Sequence, residues 1–274
     1  KACFELGISD FSAKPFNNAI IKQRVKNTAE FFDYKLKLED KVAEQTTVLR
    51  KAYRTLQIQA EHLQKKNQQI IEMLGTVVEY RSTESGEHIK RVKGYTRILA
   101  EAVMEDYPEY GLTKEKINII ETVSALHDIG KISIPDRILL KPGRLTAEEF
   151  EYMKSHTIRG CELLDSIKED WNDDIMKYAY EICRYHHERY DGKGYPDGLV
   201  GDQIPICAQL VSVADVYDAL VNERCYKDAF SKEEAYRMII TGECGVFSPK
   251  LMESFRKVRP LFEKLADKSF RGQN

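Results

Sequence analysis

Hydrophobic residues recur with alternating spacings of four and three between residues 42 and 77, which is the repeat of a coiled coil. Neither glycine nor proline interrupts the stretch from Asp40 to Leu74. The repeat positions are Val42, Thr46, Leu49, Tyr53, Leu56, Ala60, Leu63, Asn67, Ile70, Leu74 and Val77. A seam asparagine such as Asn67 favours a parallel dimer in one register. The pattern therefore predicts a coiled-coil helix that pairs two chains. The alternative is a long amphipathic helix packed on its own domain.

Helical periodicity continues from Gly75 almost to the C-terminus. The predicted helical segments are 76–106, 113–127, 146–166, 172–188, 206–222, 231–242 and 249–267. Glycines and prolines cluster between residues 189 and 205, which indicates a turn-rich loop. Because almost nothing in this stretch alternates as a strand does, the fold class predicted for residues 79–274 is all-α.

The first 35 residues differ from the rest, since a short strand-like run ends at Pro15. Pro15 and Asn17 together favour a helix that begins near Asn17. About 35 residues are too few to bury a core of their own. We therefore expect an N-terminal fragment at 1–35, a coiled-coil linker helix at 36–78 and a helical domain at 79–274.

Charge is nearly balanced along the chain, with 42 Lys+Arg against 44 Asp+Glu in 274 residues. This balance argues against nucleic acid as a partner, because a broad nucleic-acid surface shows a basic excess. No apolar run approaches the roughly 18 residues of a spanning helix, and no signal-peptide pattern opens the chain. The cysteines form no C-x-x-C pair. We expect a cytoplasmic protein with free thiols and no membrane partner.

Histidines and carboxylates form the most unusual feature of the sequence. Five of the six histidines lie between residues 88 and 187, two of them adjacent. The candidate metal ligands are Glu84, His88, His127, Asp128, His156, His186, His187 and Asp215. This set exceeds what one ion coordinates, so it predicts two metals, or three if Glu84 also binds. Carboxylates without cysteine favour iron or manganese over structural zinc.

Basic residues near these ligands suggest a phosphate-containing substrate. Lys131 follows Asp128 by three positions, and Arg224 and Lys227 lie beyond Asp215. Such cations neutralise the non-bridging oxygens of a phosphate, and Tyr190 or Tyr195 could stack on a base. The simpler reading of Arg224 and Lys227 is a solvated helix end.

Two longer motifs, HDIGKI at 127–132 and HHERYDGKGYP at 186–196, closely resemble the HD-GYP family of cyclic dinucleotide phosphodiesterases. The similarity continues in GEHIKRV (86–92), HTIRGCELL (156–164), ADVYDAL (214–220) and RCYK (224–227). The resemblance implies an HD-type helical catalytic domain that hydrolyses cyclic di-GMP, to linear pGpG and/or GMP, at two or three Fe(II) or Mn(II) ions. By motif match it also implies that the candidate ligands hold these ions and that Lys131, Arg224 and Lys227 contact the phosphates. From the residues themselves we predict that Asp128 and Lys131 are catalytic and that Tyr195 contacts the substrate.

Two alternatives remain open at this level. The preferred substrate could be 3′,3′-cyclic GMP-AMP, or the chain could be a dimeric sensor that binds the dinucleotide without cleaving it. Residues 1–35 resemble the C-terminal end of a response-regulator receiver domain, with Lys14-Pro15 matching its Lys-Pro step. This second resemblance implies a two-component response regulator whose partners include an upstream receiver domain and its histidine kinase.

Overall fold

The computed structural model describes residues 15, 17–82, 86–168, 171–222 and 229–270. The chain divides into two compact units, Lys1–Lys65 and Lys66–Asn274, which are described separately. The predicted strand-like run before Pro15 lies outside the described residues. Within the described residues no helix combines the length and apolar character that crossing a membrane requires.

One helix, α1, spans Asn18–Arg81 and contains 64 residues. It begins where the sequence predicts, because the side-chain oxygen of Asn17 accepts hydrogen bonds from the backbone amides of Ala19 and Ile20. The part of α1 in the first unit exposes the hydrophobic residues of the predicted seam, with Leu49, Leu56 and Leu63 between 60% and 70% exposed. The helix itself is confirmed, and its pairing as a coiled coil stays a prediction.

The second unit is helical, as predicted. After α1 its helices are α2 (Gly86–Asp106), α3 (Lys114–Val123), α4 (Asp136–Leu139), α5 (Ala147–Lys154), α6 (His156–Ser166), α7 (Asp173–Tyr185), α8 (Ile206–Val221), α9 (Lys232–Ile240) and α10 (Pro249–Phe270). Short 3₁₀ segments cover Pro108–Tyr110, Ser124–Leu126, Ile129–Ser133 and Gly201–Gln203. Among the described residues, the pairing of extended backbone is limited to an isolated antiparallel bridge between Asp191 and Val200.

Helix α2 lies at the centre of this unit and packs against α10, α8 and α3. The rings of Tyr95 on α2 and Phe262 on α10 stack with centroids 4.7 Å apart, and Tyr217 on α8 meets both rings edge-on. All three side chains are essentially inaccessible to solvent. This aromatic core holds α2 and α8 together, so that polar residues on the two helices can face each other.

A close approach brings the turn after α3 against α6. A Cβ added at Gly130 would collide with the carbonyl oxygen of His156 and the amide of Gly160, so this position requires glycine. The N-terminus of α6 can therefore lie directly beside the turn that carries His127 and Asp128. The same packing buries His156.

Candidate metal centre

The predicted metal ligands that the structure describes lie together in the second unit. His88 is in the first turn of α2, His127 and Asp128 lie in the turn after α3, and Asp215 is on α8. His156 begins α6, and His186 and His187 directly follow α7. Glu84 lies outside the described residues. Neighbouring imidazoles have ring centroids 4.0 to 5.6 Å apart, so elements distant in sequence deliver their side chains to one place.

Backbone carbonyls fix the orientation of three of these imidazoles. Nδ1 of His127 bonds to the carbonyl of Ser124 at 2.8 Å, and Nδ1 of His156 bonds to that of Met153 at 2.8 Å. Nδ1 of His186 lies 3.0 Å from the carbonyl of Ile182. Because a carbonyl only accepts, each Nδ1 carries the proton and each Nε2 is turned toward the interior of the site.

The three Nε2 atoms are buried, and none makes a well-aligned hydrogen bond to a described residue. A buried polar nitrogen of this kind normally has a partner. A divalent cation bound by Nε2, with Nδ1–H held by a carbonyl, is the usual arrangement of metal-binding histidines. The residues at this site therefore fit a metal ion.

Asp128 stands between two groups of histidines. Its Oδ2 lies 3.2 Å from Nε2 of His127, while its Oδ1 lies 3.1 Å from Nε2 of His156 and 3.8 Å from Nε2 of His186. Together with His187, the residues on the Oδ1 side offer ligand atoms that all lie within 4.8 Å of one another. One carboxylate therefore faces two potential cation positions.

The second group of potential ligands gathers around His88. Ligand atoms of Glu79, His88 and His127 all lie within 4.8 Å of one another. Nε2 of His88 is 3.6 Å from Oδ1 of Asp215, and Nε2 of His127 is 3.9 Å from the same oxygen. The carboxylate of Asp215 thus lies beside two buried imidazoles.

The imidazoles of His127 and His187, in the two groups that Asp128 separates, differ in their pKa. Burial alone would lower the pKa of His127, but Asp128, Asp215 and Glu79 raise it to about 10. Burial and the neighbouring His156 lower the pKa of His187 to about 3. At neutral pH the imidazole of His187 is therefore neutral, whereas that of His127 is protonated.

Lys131 lies in the 3₁₀ segment after Asp128, where a continuing helix was one possibility. Its Nζ is 2.6 Å from Oδ2 of Asp128 and 3.8 Å from Oε1 of Glu79. Burial would raise the pKa of Asp128, but Lys131 and the neighbouring histidines hold it well below its usual range. Lys131 therefore keeps the carboxylate that lies between the two groups ionised.

Tyr195 also reaches the site, through the loop after α7. Its ring stacks on His187 with centroids 4.7 Å apart, and Nζ of Lys154 lies 5.6 Å from the ring centroid. The loop is held by Glu188, whose carboxylate accepts hydrogen bonds from the amides of residues 197, 198 and 199. Tyr190 instead donates a hydrogen bond to Asp202. Arg224 and Lys227 lie outside the described residues.

Sequence reasoning missed three buried residues at this centre, namely Glu79, Arg91 and Asp218. Glu79 comes from the last turns of α1, and Asp218 lies one turn after Asp215 on α8. Asp218 accepts two hydrogen bonds from Arg91, at 2.6 and 2.9 Å, and its Oδ2 lies 2.7 Å from Nδ1 of His88. The available signal was spacing, since Arg91 follows His88 by three positions and Asp218 follows Asp215 by three.

Comparisons with known proteins identify a family and several relatives. A family model described as an HD domain matches residues 53–244. The chain is 36% identical over 261 residues to a cyclic di-GMP phosphodiesterase of Thermotoga maritima, covering 94% of this chain and 67% of that protein. It is 32% identical over 265 residues to the cyclic di-GMP phosphodiesterase response regulator RpfG of Xanthomonas campestris pv. campestris, covering 97% and 65%.

A further relative differs in its named substrate. The chain is 39% identical over 191 residues to 3′3′-cGAMP-specific phosphodiesterase 2 of Vibrio cholerae, covering 70% of this chain and 34% of that protein. The chain thus spans about two thirds of the first two relatives and about one third of this one.

Proposed function

The chain belongs to the HD domain family, and we propose that it is a metal-dependent phosphodiesterase that hydrolyses cyclic di-GMP to linear pGpG and/or GMP. Within a longer protein it would be the output part of a bacterial two-component response regulator, governed by an upstream receiver domain and its histidine kinase. The relatives named as cyclic di-GMP phosphodiesterases, one of them a response regulator, support this assignment.

The position of Asp128 carries the proposal. Its two oxygens face two separate groups of buried histidine nitrogens, at 3.1 and 3.2 Å from the nearest member of each group. A carboxylate between two such groups is the arrangement that a two-metal hydrolase requires. A protein that only binds a dinucleotide has no need of it, which weighs against the sensor alternative.

The candidate ligands divide between two positions. His156, His186 and His187 would hold one ion, and His88, His127 and Asp215 the other, with Asp128 shared between them. Glu84 would serve a third ion. Imidazole and carboxylate ligands suit Fe(II) or Mn(II). The bound ions would lower the pKa of a water molecule and neutralise charge on the phosphate.

The remaining residues would orient and neutralise the substrate. Lys131 is 2.6 Å from Asp128 and brings a positive charge next to the centre, where a non-bridging phosphate oxygen needs a donor. Arg224 and Lys227 would contact phosphate from the segment after α8. Tyr195, whose ring already packs on His187, would contact a base or the sugar at the edge of the site.

An activity measurement tests the proposal directly. Protein purified anaerobically, loaded with Fe(II) or Mn(II) and shown by metal analysis to contain it, is incubated with cyclic di-GMP. We expect linear pGpG or GMP by chromatography, and a loss of at least about 100-fold in the Asp128→Asn variant, because the shared carboxylate charge is gone. Tight binding without product by the metal-loaded protein would establish the sensor instead.

A second candidate substrate, 3′,3′-cyclic GMP-AMP, is supported by the relative that bears this specificity in its name. The two dinucleotides share the phosphodiester and differ in one purine, so the same centre could cleave either. The ratio of kcat/KM for the two substrates decides between them. A ratio above 10 in favour of cyclic GMP-AMP would replace the first assignment.

We also propose that α1 pairs two chains as a parallel coiled coil. The proposal is supported by the exposed hydrophobic residues of the seam, including Leu49, Leu56 and Leu63, and by the polar seam residue Asn67. Light scattering at micromolar concentration should give the mass of a dimer, and the Leu56→Glu, Leu63→Glu double variant should give that of a monomer. A monomeric wild-type chain would exclude the coiled-coil pairing.

A further inference from the structure

Glu79 occupies an unusual position for a residue near the end of a long helix. It lies in the last turns of α1, and its side chain is completely buried. A buried carboxylate costs several kcal/mol unless a cation or hydrogen bonds compensate it. Glu79 is therefore a candidate to share a cation with its buried neighbours.

Lys131 and Ser82 both lie near the carboxylate of Glu79. Nζ of Lys131 is 3.8 Å from Glu79 but only 2.6 Å from Asp128, so its charge serves mainly Asp128. The hydroxyl of Ser82 lies 3.3 Å from Oε2 of Glu79 and contributes a hydrogen bond without charge. On the same side of the site, Asp215 adds a second carboxylate, and the nearby guanidinium of Arg91 is taken up by Asp218.

The ligand atoms of Glu79 instead converge with two imidazoles. Atoms of Glu79, His88 and His127 all lie within 4.8 Å of one another, and Nδ1 of both histidines is already engaged by Asp218 or a backbone carbonyl. Ligands of one ion are separated by roughly 3 to 4 Å when each is about 2.1 Å from it. A side-chain adjustment of less than an ångström would therefore place all three on one cation.

We propose that Glu79 is an additional ligand of the metal ion on the His88 and His127 side of the centre. The inference rests on the metal-dependent function proposed above and adds a carboxylate that neither the motifs nor the candidate ligand set contained. It also makes the last turns of α1 part of the metal centre. Occupancy of this ion would then depend on the position of these last turns.

Metal binding by Glu79→Gln provides the test. The variant keeps the size of the side chain and removes its charge, and Glu72→Gln is the matched control, since Glu72 lies on the same helix and pairs with Lys93. Equilibrium dialysis of the full chain against graded Mn(II) gives stoichiometry and affinity. We expect Glu79→Gln to bind about one Mn(II) fewer, or to need at least about 10-fold more for the same occupancy. Glu72→Gln should match the wild type.

Thermal unfolding with and without Mn(II) distinguishes a metal ligand from a residue that only stabilises the fold. If Glu79 binds metal, Glu79→Gln keeps the Tm of the metal-free protein while the rise in Tm on adding Mn(II) shrinks. Glu79→Asp retains the charge and should recover part of that rise. Wild-type stoichiometry and affinity in Glu79→Gln, or an unchanged Mn(II)-induced rise, would overturn the inference. Failure of the wild-type chain to bind either Mn(II) or Fe(II) would instead overturn the proposed function.

Discussion

Asp218 illustrates how one buried carboxylate can serve two neighbours. It accepts hydrogen bonds from the guanidinium of Arg91, and its Oδ2 lies 2.7 Å from Nδ1 of His88. The side chains of all three residues are almost fully buried. Asp218→Asn leaves the arginine charge uncompensated, so we expect a loss of about 3–5 kcal/mol in unfolding free energy. Because His88 also loses its anionic partner, Mn(II) affinity should fall about 10- to 100-fold. Urea unfolding and Mn(II) titration measure the two effects.

Asn222→Ala is the control for this prediction. Its amide donates hydrogen bonds to the carboxylate of Asp218 at 3.0 Å and to the backbone carbonyl of Asp218 at 2.9 Å, so the variant removes the contacts of one uncharged donor and keeps the ion pair. We expect a loss of only about 1 kcal/mol and unchanged Mn(II) affinity. Wild-type stability and affinity in Asp218→Asn would contradict the role assigned to this carboxylate.

The protonation of His127 predicts a pH dependence of metal binding. Its pKa of about 10 means that the imidazolium predominates at neutral pH in metal-free protein, whereas His187, with a pKa of about 3, is already neutral. Binding on the His127 side should therefore release about one proton, and its apparent Kd should fall about tenfold for each pH unit between 6 and 8. Calorimetry of Mn(II) binding in buffers of different ionisation enthalpy counts the protons. Release of no proton would contradict this assignment.

Some residues of the candidate centre could be identified from the sequence, and others could not. His127, Asp128, His186 and His187 could be selected because they form two adjacent pairs in a chain with only six histidines. Glu79 follows the seam position Val77, where a solvent-facing carboxylate is the ordinary expectation. Only the packing of the end of α1 against the other helices shows that it is buried, and such packing cannot be read from local spacing.

At the scale of elements, Arg81 ties the end of α1 to the turn that carries Asp128 and Lys131. It donates to the carbonyls of Lys131, Ile132 and Ile134 at 2.8 to 3.1 Å and pairs with Asp136. Arg81→Lys cannot reproduce this fork of donors. We expect it to lower unfolding free energy by about 1.5–3 kcal/mol and to reduce kcat while Mn(II) stoichiometry stays unchanged.

Urea unfolding, metal analysis and steady-state kinetics on the same preparation check this prediction. Lys90→Ala is a suitable control, because Lys90 is exposed and its ion pair with Glu87 lies on the solvent side of α2. The control should leave stability and kcat unchanged. Equal stability of Arg81→Lys and wild type would mean that the turn is held by other contacts.

Element boundaries show where local sequence signals were insufficient. The predicted segment 76–106 is divided, since α1 ends at Arg81 and α2 begins at Gly86. The predicted segment 146–166 is divided at Ser155, whose hydroxyl donates to the carbonyl of Tyr152 at 2.6 Å. Helical periodicity runs through both breaks because each pair of helices contributes to the same core. A hydroxyl that competes for a backbone carbonyl weakens a helix without changing that pattern.

At the scale of the whole molecule, the candidate centre joins elements far apart in the sequence. Residues on α2, on the turn after α3, at the ends of α6 and α7, and on α8 supply its ligand atoms. Cations bound by residues from all these elements bind the folded state and not the unfolded chain. Metal binding and unfolding must therefore be linked by mass action, whatever the identity of the ion.

Metal removal should lower the stability of this unit by a calculable amount. Free Mn(II) at 100 times its Kd stabilises the folded state by about 2.7 kcal/mol per ion. For a domain of roughly 200 residues this corresponds to a Tm difference of roughly 5–10 °C between metal-loaded and chelator-treated protein. Calorimetry at fixed Mn(II) measures the difference, and Asp128→Asn should show a much smaller one because both cation positions lose their shared carboxylate. Equal Tm values with and without chelator in the wild-type chain would mean that the buried histidines and carboxylates are held together by contacts among themselves.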